Sequence, residues 1–71
     1  MPSGTVKWFD ETLECGLIEP SDGGHAVLVH VTALKRAGLT SLRAGMAVNY
    51  DLVNRLGKPV AENLMISQIR D

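Results

Sequence analysis

Val6-Lys7-Trp8-Phe9, Cys15-Gly16-Leu17-Ile18 and Val27-Leu28-Val29-His30 decide how this chain folds. Each is a short run of branched, apolar and aromatic residues, the composition that fits a pleated surface. Asp10-Glu11-Thr12 separates the first run from the second, and Pro20-Ser21-Asp22-Gly23-Gly24 separates the second from the third. These are turn formers, so the three runs read as a meander of short strands. Alternation of side chains then assigns faces. Ile18, Val27 and Val29 form an interior set, which leaves Cys15, Leu17, Leu28 and His30 outside. Val6 and Trp8 fall on the same side of a regular strand, so burying Val6 while exposing Trp8 requires a bulge near Lys7. Trp8 and His30 are then stackable side chains on a sheet face that carries leucines between them. Two outward leucines beside a histidine form a small apolar patch, a feature that often marks a contact surface.

Working outward, glycine and proline continue to punctuate the chain at Gly38, Gly45 and Leu56-Gly57-Lys58-Pro59. Five strands are expected, at about 4–10, 15–20, 25–30, 46–54 and 59–69. The stretch 31–45 is the exception. Good helix formers in Val31-Thr32-Ala33-Leu34-Lys35-Arg36-Ala37, followed by Gly38 at the position of a C-terminal cap, predict one short helical turn near 31–36. Leu39 and Leu42 would tuck the following loop against the sheet. Five short strands in 71 residues point to a single all-β domain spanning 1–71, a five-stranded antiparallel Greek-key barrel.

The bulk numbers narrow the function. Hydrophobic residues make up 45% of the chain, too many for an intrinsically disordered segment. No run approaches the roughly 18 apolar residues of a membrane helix, and Met1-Pro2-Ser3-Gly4-Thr5 has neither a basic nor an apolar stretch that would read as a signal peptide. No membrane association and a cytoplasmic location are expected. Seven Lys/Arg against eight Asp/Glu give a net charge of −1, which speaks against a nonspecific duplex binder built on many phosphate contacts. It leaves room for a binder that relies on stacking and a few local cations. Cys15 is the sole cysteine, so no internal disulfide forms. Cys15, His25 and His30 lack the closely spaced ligand pairs of a zinc site. No nucleophile–base–acid set and no phosphate-cradling glycine loop is present, so no enzyme activity, catalytic residue, metal or cofactor is expected.

Gly4-Thr5-Val6-Lys7-Trp8-Phe9 resembles the opening of the bacterial cold-shock domain, and the likeness continues in register. Gly16-Leu17-Ile18-Glu19-Pro20 stands where that family has its glycine-aromatic-isoleucine strand, and Asp22-Gly23-Gly24 matches its turn. Val27-Leu28-Val29-His30-Val31 matches its valine-phenylalanine-valine-histidine strand. Ala37-Gly38-Leu39, Ser41-Leu42 and Gly45 match the long loop, and Gly57-Lys58, Ala61 and Asn63-Leu64 the last hairpin. The resemblance implies an oligonucleotide-binding (OB-fold) barrel. It also implies cytoplasmic binding of single-stranded DNA or RNA, as an RNA chaperone or a transcription antiterminator. In that family, bases stack on aromatic rings from strands two and three and on the tryptophan of strand one.

The chain departs from the family where bases would stack. The family usually reads lysine-glycine-phenylalanine-glycine-phenylalanine across the second strand; here the five positions are Leu13-Glu14-Cys15-Gly16-Leu17. Leu28, Val31 and Leu39 stand where further rings are frequent. Trp8, Phe9 and His30 remain, with Lys7 beside them. The nucleic-acid-binding set expected from the resemblance is therefore Lys7, Trp8, Phe9, Leu17, Leu28, His30, Val31 and Lys58; Lys35-Arg36 and Arg55 with Lys58 form short basic clusters on loops, read first as serving solubility. Stacking contributes about 1–3 kcal/mol per base. Losing three rings then predicts binding weakened a hundredfold or more, since roughly 1.4 kcal/mol is tenfold. Glu14 would add repulsion toward phosphate. The alternative is a protein-interaction module in which Leu17, Leu28 and Val31 form a homodimer or docking contact; a barrel swapped between two chains through the 31–45 loop is compatible with either.

Overall fold

The branched residues that alternate along each apolar run do turn one way, and they close a barrel around themselves. The computed structural model describes residues 2–66. Its strands are β1 (Ser3–Asp10), β2 (Cys15–Pro20), β3 (Val27–His30), β4 (Ala47–Arg55) and β5 (Lys58–Ile66), with a helix, α1 (Val31–Arg36), between β3 and β4. The strands form a closed ring in the order β1-β2-β3-β5-β4, and β4 pairs back onto β1. Val6, Ile18, Val27, Val29, Leu34, Val48, Ala61 and Leu64 fill the interior, together with Tyr50. Ile18, Val27 and Val29 thus occupy the side their alternation assigned, and residues 31–36 form the expected helical turn.

One boundary differs from expectation by more than a residue. Strand β3 begins at Val27 rather than 25, because the preceding segment is spent on a turn. Asp22 Oδ1 accepts the Gly24 N–H at 2.8 Å, and Gly23 adopts φ of 81°, leaving His25 and Ala26 exposed. The last strand was expected to reach 69, and its final three positions lie outside the described residues. The barrel is antiparallel at four of its five pairings, but β3 and β5 run parallel, with Leu28 against Val60 and Val29 against Ala61. A ring of five strands requires this. Direction cannot alternate all the way around an odd-numbered ring, so one adjacent pair must match.

Helix α1 ends as the position of Gly38 predicts. Gly38 takes φ of 79°, its N–H donates to the Lys35 carbonyl at 3.1 Å, and the Leu39 N–H donates to the Leu34 carbonyl at 2.8 Å. That pair of bonds is the Schellman closure. It brings Leu39 and Leu42 down onto the core.

Tyr50 sits in the core at 1% exposure, at the end of the barrel away from Trp8. There it lines an apolar cleft of about 460 Å³ with Pro2, Pro20, Val27, Leu52 and Pro59. Burial, and secondarily the negative charge of Asp22, raise the phenol above its ordinary value of about 10. The folded chain therefore keeps this proton to higher pH than the unfolded chain. The stability it contributes is complete below about pH 10 and is lost as pH rises through the raised folded value. The urea midpoint is expected to fall more steeply between pH 9 and 11 in the wild type than in Tyr50→Phe, and parallel slopes would contradict this.

Candidate nucleic-acid interface

The outward position of Trp8 is built by a break in the β1–β2 ladder. Val6 pairs with Ile18, but the next pair is Trp8 with Leu17, so Lys7 is the extra residue. The loop entering β4 holds this bulge in place. The Val6 N–H donates to the Met46 carbonyl, and the Val6 carbonyl accepts the Gly45 N–H, each at 2.8 Å. Val6 is consequently 1% exposed and Trp8 38% exposed, although they are two residues apart on one strand. Without the extra residue both would share a side.

Register then lays out the wall. Trp8 pairs with Leu17, Leu17 with Leu28, and Leu28 with Val60, giving one row across β1, β2, β3 and β5. The neighbouring row runs from Asp10 through Cys15 to His30. Trp8 and His30 therefore face water on the same wall, with strand β2 between them. With the usual strand spacing and rise, their backbone positions are roughly 12 Å apart, and Leu17 and Cys15 stand on the strand between them. Leu17, Leu28, Val31 and Cys15 are half-buried, and Lys7 and His30 are exposed. Lys58 is exposed on β5, two residues before Val60 and so on the same outer face. Phe9 is not brought onto this wall. It alternates inward after Trp8 and packs half-buried against the core.

His30 has a second task that its sequence context did not reveal. It is the N-cap of α1, and its Nδ1 accepts the Thr32 N–H at 3.2 Å and lies 3.1 Å from Thr32 Oγ1. An accepting Nδ1 places the ring proton on Nε2. The imidazole is thus held by the helix start instead of swinging freely, in a role usually taken by Ser, Thr, Asp or Asn.

The electrostatics of the wall are mixed. Lys7 lies at its Trp8 side and Lys58 on its β5 side. The β1–β2 turn next to His30 is acidic, with Asp10, Glu11 and Glu14 all exposed. Asp10 is committed to that turn through bonds from the Thr12 and Leu13 N–H groups at 2.8 and 3.2 Å. Glu14 takes φ of 61°, and its carbonyl accepts the Val31 N–H at 2.9 Å, which fixes this carboxylate-bearing residue against the start of α1. Leu13, 62% exposed, adds an apolar tip to the same turn. Arg36 and Arg55, read in the sequence as solubilising clusters, both line a groove that begins at His30 and Leu28. Among the described residues, no group of three His, Cys, Asp or Glu side chains could hold a metal ion, and no helix is long and apolar enough to cross a membrane.

A ring of five strands with an outward tryptophan and histidine on one wall is the arrangement of a cold-shock-type barrel. The family model described as the 'Cold-shock' DNA-binding domain matches residues 2–67. Cold shock protein CspA of Rhizobium meliloti (strain 1021) is 50% identical over 66 residues, covering 90% of this chain and 96% of the relative. Cold shock-like protein CspA of Rickettsia bellii (strain RML369-C) is 46% identical over 63 residues, covering 89% and 90%. Cold shock-like protein CspE of Escherichia coli (strain K12) is 37% identical over 62 residues, covering 87% and 90%. The chain belongs to the cold-shock domain family.

Proposed function

We propose that this chain binds single-stranded nucleic acid, RNA or DNA, weakly and reversibly across the Trp8–His30 wall, in the cytoplasm, as an RNA chaperone or transcription antiterminator does. The observation that carries the reading is the bulge at Lys7, which turns an indole out of the core and onto the wall that presents His30. Family membership supports it. Mechanistically there is no chemical step. Bases lie against Trp8 and His30 and touch Leu17, Leu28 and Val31 through apolar contact. Phosphates meet Lys7 and Lys58, and Phe9 acts from beneath by supporting β1. Leucine gives a base no flat π-surface, so affinity is low and exchange fast, which suits a protein that melts misfolded strands and releases them.

A chemical-shift titration with a short pyrimidine-rich oligonucleotide tests this. Amides of Lys7, Trp8, Leu17, Leu28, His30 and Lys58 are expected to move in fast exchange, while Tyr50 and Leu52 at the other end stay still. A chain that sediments as a dimer and shows no perturbation on this wall would replace the reading with a protein-interaction module using Leu17, Leu28 and Val31.

A further inference from the structure

A groove of about 410 Å³ runs beside the wall, between α1, the end of β4 and β5. Leu28 and His30 form its lip on the wall side, Arg36 and Arg55 supply its cations, and Glu62 supplies its carboxylate. Arg55 donates to a single oxygen, Glu62 Oε2, from both Nε (2.9 Å) and Nη2 (2.5 Å). This is the one ion pair among the described residues. It is not a product of strand register, which sets Arg55 opposite Lys58. Glu62 is four residues further along β5, roughly 13 Å of strand, so the arginine lies lengthwise in the groove to reach it. Arg55 remains 59% exposed and Glu62 25% exposed, which leaves the guanidinium on the open side.

We propose that Glu62 is an internal competitor for phosphate, holding Arg55 in the groove that a strand enters as it leaves the wall past His30. The inference deepens the single-strand function proposed for that wall and depends on it. A guanidinium presents the same planar donors to a carboxylate and to a phosphate. An exposed carboxylate pair is weak, so a phosphate can displace it. The displaced carboxylate then stays beside the incoming phosphate, and its repulsion offsets much of the gain. Glu62 thereby limits both affinity and salt sensitivity in a protein that already lacks rings.

Fluorescence anisotropy with a labelled oligothymidine, at low and moderate salt, provides the test. Glu62→Gln is expected to bind about fivefold tighter at low salt and to steepen the salt slope by about 0.7, the share of one single-strand phosphate. In an Arg55→Gln background the same Glu62→Gln change is expected to give less than a twofold gain. A gain that persists without Arg55 would mean general charge repulsion and would overturn the pairing proposal. Unchanged affinity in Glu62→Gln, with binding still dependent on Trp8, would overturn the inference and leave the wall's function standing. If wild type and variants all fail to bind while keeping their unfolding midpoints, both fall together.

Discussion

Gly16→Ala is expected to lower the stability of the barrel by about 3 kcal/mol, at the upper end of typical overpacking penalties. A Cβ at Gly16 would meet the Trp8 carbonyl oxygen, Phe9 Cδ1 at 2.8 Å and Phe9 Cα at 2.9 Å. Two of those three neighbours are backbone, so no rotamer change relieves the clash, and β1 must lift from β2. Gly16 faces the interior beneath the strand that has just bulged. Its missing side chain lets Phe9 fold inward while Trp8 turns out. For a domain of this size each kcal/mol shifts the melting temperature by roughly 4–8 °C, so a fall of about 12–24 °C is expected by circular dichroism. A melting temperature within a few degrees of wild type would show that β1 and β2 tolerate the extra methyl, and that the close approach does not set the bulge. Because Trp8 rides on the displaced strand, its emission should also shift in the folded variant.

Trp8→Ala is expected to weaken single-strand binding by about 5- to 150-fold, the equivalent of one stacked base at roughly 1–3 kcal/mol. In a wall with several rings such a loss would be shared. Here Leu17 and Leu28 follow Trp8 along its row and His30 lies two strands away beyond Cys15, so no ring adjacent to Trp8 takes over its base. The indole is 38% exposed, and its removal leaves only a modest gap at the surface. Anisotropy with a labelled oligothymidine gives the affinity and thermal unfolding gives the stability. Retained affinity in a folded variant would move the binding surface away from this wall. A large loss of stability would mean that the ring serves the core more than the ligand.

Much of this architecture was legible in the residues. With Trp8 outward and Val6 inward, parity requires a bulge near Lys7, and the ladder breaks between Val6 and Trp8. Alternation placed Val27 and Val29 inside and His30 outside, and glycine at 38 marked the end of α1. What escaped depended on contacts between distant segments. The parallel β3–β5 pairing follows from closing an odd ring, which no single strand encodes. Phe9 entered the expected set through the family resemblance, and it packs half-buried against the core because adjacent strand residues point to opposite faces. The burial of Tyr50 is set by the barrel end that covers it. His30 as a helix cap escaped although the turn at 31–36 was expected, because histidine is not among the residues that usually cap a helix start. The Arg55–Glu62 pair escaped because it crosses the hairpin against its register, along a groove that exists only after α1 docks.

The central claim is that the outward indole meets nucleic acid. Trp8 is the chain's single tryptophan, so its emission reports on this position alone. Titrating the protein with oligothymidine at low salt should quench that emission to saturation, with a midpoint on the order of micromolar, in the range of weak, mainly electrostatic binding. The midpoint should rise as salt is added. Emission that stays unchanged through millimolar oligonucleotide would contradict the claim outright, and saturation at nanomolar concentration would contradict the weakness assigned to a wall of leucines.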